Sequence, residues 1–283
     1  MDTRFWGPSG WRLLHLGAHA ADVDPSLRAP FKALLTLLPY ALPCKYCRAS
    51  LTEYLSEMPP PSSSALWAWS RFLHGLHNCV NAKLRGQGLL PPGGDPPFRQ
   101  VHALYAQVYA SNCTERGFVG WDFLFSVAFT TPPHSERAAA AASSPMPGAP
   151  SRDGAMSLRE ANGHNLLSRG ERLASLREWW LSVGPALPLP NWRRAWAEAA
   201  AKHGAVPPLT QGRRPVTAWL FRMQGAVCAA LTEAAPHASF TGLCAELASF
   251  ASGCSAAKRG RTCRRRGGGG RGRGRVTLRA KRF

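Results

Sequence analysis

Phe72-Leu73-His74-Gly75-Leu76-His77-Asn78-Cys79-Val80-Asn81-Ala82-Lys83-Leu84 is the stretch on which the fold turns. Leu73, Leu76, Val80 and Leu84 recur at helical spacing, and His74, His77, Asn78 and Asn81 fall on neighbouring faces of the same helix. Polar side chains set beside an apolar stripe need a polar partner, and a bound heteroaromatic molecule would supply one. Ser63 or Ser64 is the natural N-cap, and the loop from Gly86 to Pro97 ends the helix.

Working outward, the chain reads as helices throughout. Trp11, Leu14, His15 and Ala18 share one face near the start, and Leu27, Phe31, Leu34, Leu35 and Leu38 share another, with Pro25, Pro30 and Pro39 as punctuation. A third helix is expected from about Cys44 to Met58, where three prolines stop it. Val101 to Tyr109 and Phe118 to Phe129 complete a first all-α unit over residues 1–130.

Cys44-Lys45-Tyr46-Cys47 places two cysteines three apart at a helix start. The helix N-terminus and Lys45 both favour thiolate, and such sites lower a thiol pKa from about 8.5 towards 7. The spacing alone is compatible with a redox pair, with half of a zinc site completed by His74, His77 or Cys79, or with coincidence. A zinc cage would leave Asn78 and Asn81 without a purpose.

The 283 residues hold 35 Lys or Arg against 16 Asp or Glu, and 45% are hydrophobic, with ten Trp and twelve Phe. That is too apolar for a wholly disordered chain. The charge is concentrated: the last 26 residues carry twelve Lys or Arg and no acid. This tail, 258–283, with Arg264-Arg265-Arg266 and Arg-Gly alternation, reads as a disordered arm suited to nucleic acid or another polyanion. The best apolar run, Ala33 to Leu42, is too short to cross a bilayer and is broken by Pro39. Met-Asp-Thr-Arg-Phe-Trp lacks the marks of a secretory leader. No transmembrane segment and no secretion are expected.

Residues 131–156, with Pro132-Pro133, an alanine run and Ser-Ser-Pro-Met-Pro-Gly, have linker composition. A second helical domain is expected over 157–257, and it echoes the first. Tyr40 to Arg48 lies over Pro185 to Arg193 at an offset of 145, with Leu189 and Trp192 in place of Cys44 and Cys47. At an offset of 147, Phe72, His77, Val80 and Leu84 lie over Trp219, Gln224, Val227 and Leu231. The second unit reads as a degenerate repeat without a redox pair. Its Trp179, Trp180, Trp192 and Trp196 are read as helix packing or as a docking surface.

Three motifs in order, Trp11-x-x-x-His15, Cys44-x-x-Cys47 after Leu42-Pro43, and His77-Asn78-x-Val80-Asn81-x-Lys83-Leu84, resemble those of the Erv/ALR FAD-linked sulfhydryl oxidases. Trp6-Gly7-Pro8 and Gly120-Trp121-Asp122-Phe123 are similar to the members encoded by large DNA viruses. The resemblance spans about residues 1–130. It implies a four-helix bundle with a short fifth helix, FAD held noncovalently, and a homodimer. It also implies electron flow from dithiol proteins through Cys44 and Cys47 to flavin and then to O2, giving H2O2. Cys44 would exchange with the incoming thiol and Cys47 would lie nearest the flavin. Trp11, His15, Phe72, His77, Asn78, Val80, Asn81, Lys83 and Leu84 would contact the cofactor, and no resident metal is implied. Phe72 stands where the family often has Trp, and the family's C-x16-C disulfide has no counterpart. Cys228, Cys244, Cys254 and Cys263 are candidates for a shuttle pair without a motif. The resemblance further implies work in the host cytoplasm, and in the virion, on virion-protein disulfides. The alternative is a zinc-stapled helical adaptor whose tail recruits a polyanion.

Overall fold

A computed structural model describes residues 1–62, 65–111 and 117–251. Every regular element among them is helical. The basic tail, Ser63, Ser64, Cys113, Cys254 and Cys263 lie outside the described residues.

Helix α1 (Thr3–Val23) opens on Asp2, whose carboxylate accepts the Arg4 backbone N–H. It is buried almost continuously from Leu13 to Ala21 and forms the axis of the first half. At Gly17 it meets α2 (Arg28–Ala41) so closely that an added Cβ would stand 2.6 Å from the Phe31 ring. Pro39 does not end α2: one missing N–H near the C-terminus removes a single bond, and the Leu42 N–H still closes on the Leu38 carbonyl. Helix α3 (Lys45–Glu57) has Cys44 as its extended N-cap residue.

Helix α4 (Ala68–Gly86) begins later than a serine cap at 63 or 64 implies. Trp67 is left-handed (φ 58°), and the Asp22 carboxylate at the end of α1 accepts the N–H groups of Trp69 and Ser70 at 3.0 and 2.9 Å. An acceptor 47 residues away thus does the work expected of a neighbour. Helix α5 (Phe98–Ala110) lies on α1 and α4 with no side chain fully buried. Helix α6 (Trp121–Phe129) starts after Gly120, whose φ of 111° and close approach to Leu13 leave no room for a side chain.

The second half holds α7 (Glu136–Ala142), α8 (Leu158–Gly163), α9 (Arg169–Val183), α10 (Pro190–His203), α11 (Arg213–Ala230) and α12 (Phe240–Phe250). A single hydrophobic cluster runs from Met1 to Leu247 across both halves. Helix α2 packs on α9 and α6 on α11, with the Phe123 ring edge-on to Trp179 at 5.9 Å. Trp179, Trp180, Trp192 and Trp196 are all buried, which makes them packing residues.

The two halves share local geometry. Lys45 and Pro190, which open α3 and α10, are 145 apart, as are Ala68 and Arg213, which open α4 and α11. Cys44 and Leu189 are the corresponding N-cap residues. Arg48 donates from Nη1 to the Leu42 carbonyl at 3.0 Å, and Arg193 donates from Nη1 to the Leu187 carbonyl at 2.9 Å. Among the described residues, no helix is long and apolar enough to cross a membrane.

Candidate redox site between α3 and α4

Helix α4 changes character halfway along. Trp69, Ser70, Phe72, Leu73 and Leu76 are buried, but none of the side chains from His77 to Gly86 is. Opposite this second half stands α3, and the two backbones barely approach one another. Lys83 Nζ, donating to Ser50 Oγ at 2.5 Å, ties them across the gap. Cys47, Tyr54, Val80 and Leu84 are half-buried along it. The corresponding pair, α10 and α11, packs closely: Trp192 occupies the place of Cys47 at 1% exposure, and α11 stays buried through Cys228.

At one end of the gap, α1 contributes Trp11 and His15. Trp11 stacks on His77 with ring centroids 3.8 Å apart, and His15 Nε2 lies 3.0 Å from His77 Nδ1. Burial, reinforced by His77 and His74, pushes the His15 pKa down to about 3. Burial lowers that of His77 to about 4, although Asp95 pulls the other way. Both rings are therefore neutral at physiological pH, and one N–H is shared between the facing nitrogens. A pair of neutral heteroaromatic rings beside an indole suits a flat, uncharged partner.

The remaining motif residues are engaged internally. Asn81 Nδ2 donates to Asp95 at 2.7 Å, Asp95 is paired with Arg85, and Asn78 reaches only towards His74, at 3.5 Å. Asn81 Oδ1, the Asn78 amide and the Lys83 ammonium are half-exposed polar groups on one helix face, able to exchange these partners for a ligand's. Phe72 is placed apart from them: it is 7% exposed and belongs to the core.

Cys44 is buried (2% exposed), whereas Cys47 is half-exposed. Exchange of Cys44 with an incoming thiol therefore requires the chain to open around it. Directly after the pair, Arg48 is buried, and its positive charge acts on both sulfurs, which favours their ionised forms. Burial brings its pKa down to about 10, opposed by Cys44 and Cys47. Arg48 Nη2 donates to Asn165 Oδ1 at 2.6 Å, so the second half of the chain steadies a cation behind the cysteines.

His74 and His77 point elsewhere than to the cysteines: His74 Nε2 lies 2.9 Å from the Pro96 carbonyl, and His77 faces His15. Among the described residues, no group of three or more His, Cys, Asp or Glu side chains converges as an ion cage. Cys79, half-buried on α4, has its pKa raised by burial and then by Glu57, the opposite of an activated thiol. Cys228 is raised by burial to about 11, with Glu233 adding to the shift, and Cys244 is raised by burial as well. Cys228 lacks the electropositive surroundings of a shuttle thiol, and at Cys244 burial outweighs the opposing pull of Arg214.

Several residues of this site carry no motif. Arg48 is legible only as the residue after the second cysteine. Asp95 and Tyr105, which stacks on His15 at 4.9 Å, come from the loop and helix that follow α4. Their alternation of polar and apolar positions shows a helix face but not what it covers.

The model of the Erv1/Alr family matches residues 8–90. An FAD-linked sulfhydryl oxidase from a Kenyan pig isolate of African swine fever virus is 32% identical over 83 residues, covering 28% of this chain and 67% of that protein. The chain belongs to the Erv1/Alr family. The FAD-linked sulfhydryl oxidases of a tick isolate from Malawi and a warthog isolate from Namibia align with the same identity and coverage. No solved structure matches the chain. The family match contains α1 from Pro8 onward and α2 to α4 whole, and with them Trp11, His15, both cysteines and the His77 to Leu84 motif.

Proposed function

We propose that the protein is an FAD-dependent sulfhydryl oxidase that makes disulfides in substrate proteins, with Cys44 and Cys47 as its redox pair. The observation that carries this reading is the separation of α3 from α4 beside Cys47, at the place where their counterparts α10 and α11 close on one another.

The residues fit the cofactor. Trp11, His15 and His77 offer a flat neutral surface, Val80 and Leu84 an apolar floor, and Asn78, Asn81 and Lys83 polar groups for the ribose, adenine or phosphates. When bound, FAD accepts two electrons from a dithiol and delivers them to O2, releasing H2O2. The protein's own part is thiol exchange. A substrate thiolate attacks the Cys44 sulfur of the Cys44–Cys47 disulfide, and Cys47 leaves as a thiolate. The substrate's second thiol then displaces Cys44, forming the substrate disulfide and leaving both cysteines reduced, so two electrons and two protons have left the substrate. The Arg48 cation stabilises the thiolates at each stage. His15 and His77, neutral and mutually hydrogen-bonded, hold the aromatic wall in one orientation.

The same reading makes the second half a degenerate repeat devoted to interaction and to bracing α3, and the shared caps and Arg-to-carbonyl ties support it. Asn162 Nδ2 donates to the Pro39 carbonyl and to Thr52 Oγ1, and Arg159 to the Thr52 carbonyl. It further takes the protein as a homodimer acting on virion proteins in the host cytoplasm and carried into the virion, with a basic tail for polyanions. The test is purification and turnover. The protein should carry flavin and oxidise a dithiol with one H2O2 formed per disulfide, and Cys44→Ser or Cys47→Ser should abolish turnover while flavin is retained. Flavin-free protein containing stoichiometric zinc would favour the adaptor reading instead.

A further inference from the structure

On the side of α3 away from the α4 gap lies a second feature, an open cavity of about 920 Å³ lined by the starts of α3, α9 and α11 and by the segment around residues 129–145. Its wall carries Lys45, Arg48, Arg169, Arg172, Arg213 and Arg214. The one carboxylate on the wall, Glu136, is mostly exposed and lies 3.6 Å from Arg169. Helices α3 and α11 both begin without a side-chain cap, so their positive ends add to the field.

Gathering so many cations is costly, and the structure compensates the cost only in part. The Arg172 guanidinium has no hydrogen bond or ion pair with any described residue. Burial and the neighbouring Arg48 hold its pKa well below the ordinary value. Arg48 Nε is buried without a partner, and so is the hydroxyl of Thr131, which is 3% exposed on the same wall. Buried polar groups without partners are rare in folded proteins and need an explanation, and a like-charged cluster that holds two such groups beside the half-buried Arg172 guanidinium suits an anion. The carbonyl-rich surroundings of Lys45, which donates to Ser144, and of Arg169, which donates to the Pro133 and Thr210 carbonyls, fix those two side chains at the rim.

We propose that this cavity is a binding site for a small anion bearing two or more phosphate groups, with Arg172, Arg48 and Thr131 as its central contacts. Arginine forks match phosphate oxygens pairwise, and the volume lies in the range of sites for molecules of nucleotide size. Several negative charges in that volume are needed to offset the wall, which disfavours a single carboxylate. The face of α3 concerned carries Lys45 and Arg48, whereas Cys47, Ser50 and Tyr54 face the α4 gap, so the site opens on the other side of α3 from the proposed redox groove and shares only Arg48 with it. Ala251, the last described residue, is at the rim.

The test is calorimetric titration of the full-length, flavin-loaded protein with inorganic tripolyphosphate at low salt, for the native chain and for Arg172→Gln. The native chain should show one saturable site of unit stoichiometry in addition to diffuse tail binding. Arg172→Gln should weaken that site by about tenfold or more, since a charged hydrogen-bonding group is lost. Without ligand, the same variant should melt no lower than the native chain, because it removes an uncompensated charge. Thr131→Val serves as a second variant with the same expected loss of affinity. Native binding that lacks the unit-stoichiometry site, a site indifferent to both variants, or a site that takes polyglutamate but not tripolyphosphate would overturn the proposal. Flavin absorbance in the same samples reports the redox site independently, so failure of one reading is not failure of the other.

Discussion

Acidification tests the buried histidine pair most sharply. Both His15 and His77 have folded-state pKa values far below the ordinary 6.5, at about 3 and about 4. A histidine whose pKa is depressed on folding binds fewer protons folded than unfolded, so its contribution to stability is intact above pH 6.5 and is lost as pH falls towards the folded value. At pH 5 the unfolded chain has taken up protons at both positions while the folded chain has not. With each pH unit below 6.5 costing about 1.4 kcal/mol per histidine, the pair lowers stability by about 4 kcal/mol at pH 5. That is a large fraction of the roughly 5–15 kcal/mol that holds a typical domain together. Urea unfolding of the flavin-loaded protein at pH 7 and pH 5 measures the loss. The double variant His15→Gln with His77→Gln, which cannot titrate there, should lose several kcal/mol less over the same interval. Equal losses in the two proteins, or a native chain equally stable at both pH values, would refute the reasoning.

Other perturbations address the packing. Gly17→Ala drives a Cβ to within 2.6 Å of the Phe31 ring and should cost about 1–3 kcal/mol in thermal unfolding; an unchanged melting temperature would contradict the tight α1–α2 contact. Asn162→Ala takes the side-chain donor from the buried Pro39 carbonyl and from Thr52 Oγ1, which keeps only its bond to the Arg48 carbonyl, and should cost about 1–3 kcal/mol, a loss that Asn162→Asp should not restore because its carboxylate cannot donate to that carbonyl. In reduced, flavin-stripped protein, Cys47 should be alkylated before Cys44, because it is half-exposed and Cys44 is 2% exposed. Peptide mapping after limited treatment with iodoacetamide reads the order directly. Deleting 258–283 should lower nucleic-acid binding and flatten its salt dependence while turnover is kept.

Much of the site was legible because its elements are local. The period of Leu73, Leu76, Val80 and Leu84 fixes a helix and the faces on which His77 and Asn81 lie, and proline before Cys44 fixes a helix start. Periodicity says which way a side chain faces but not how far off the next helix stands, so neither the gap between α3 and α4 nor the burial of Phe72 could be read from it. Long-range satisfaction was equally hidden. Asp22 caps α4 from the end of α1, and Asn165 holds Arg48 from more than a hundred residues away. Pro39 shows the limit of a breaker rule: it is harmless in a last turn where few bonds remain to be lost. The cation-walled cavity draws on residues scattered from Lys45 to Arg214, each ordinary in its own segment and unusual only once the helices meet.

The central claim is that dithiol electrons pass through Cys44 and Cys47 to a flavin held between α1, α3 and α4. Its most direct test is the visible absorption of the purified protein before and after anaerobic addition of a dithiol. The account predicts a bound flavin band that bleaches on addition in the native protein, persists in Cys47→Ser, and returns in the native protein when air is admitted. A colourless protein, or a flavin that bleaches equally fast without Cys47, would contradict it.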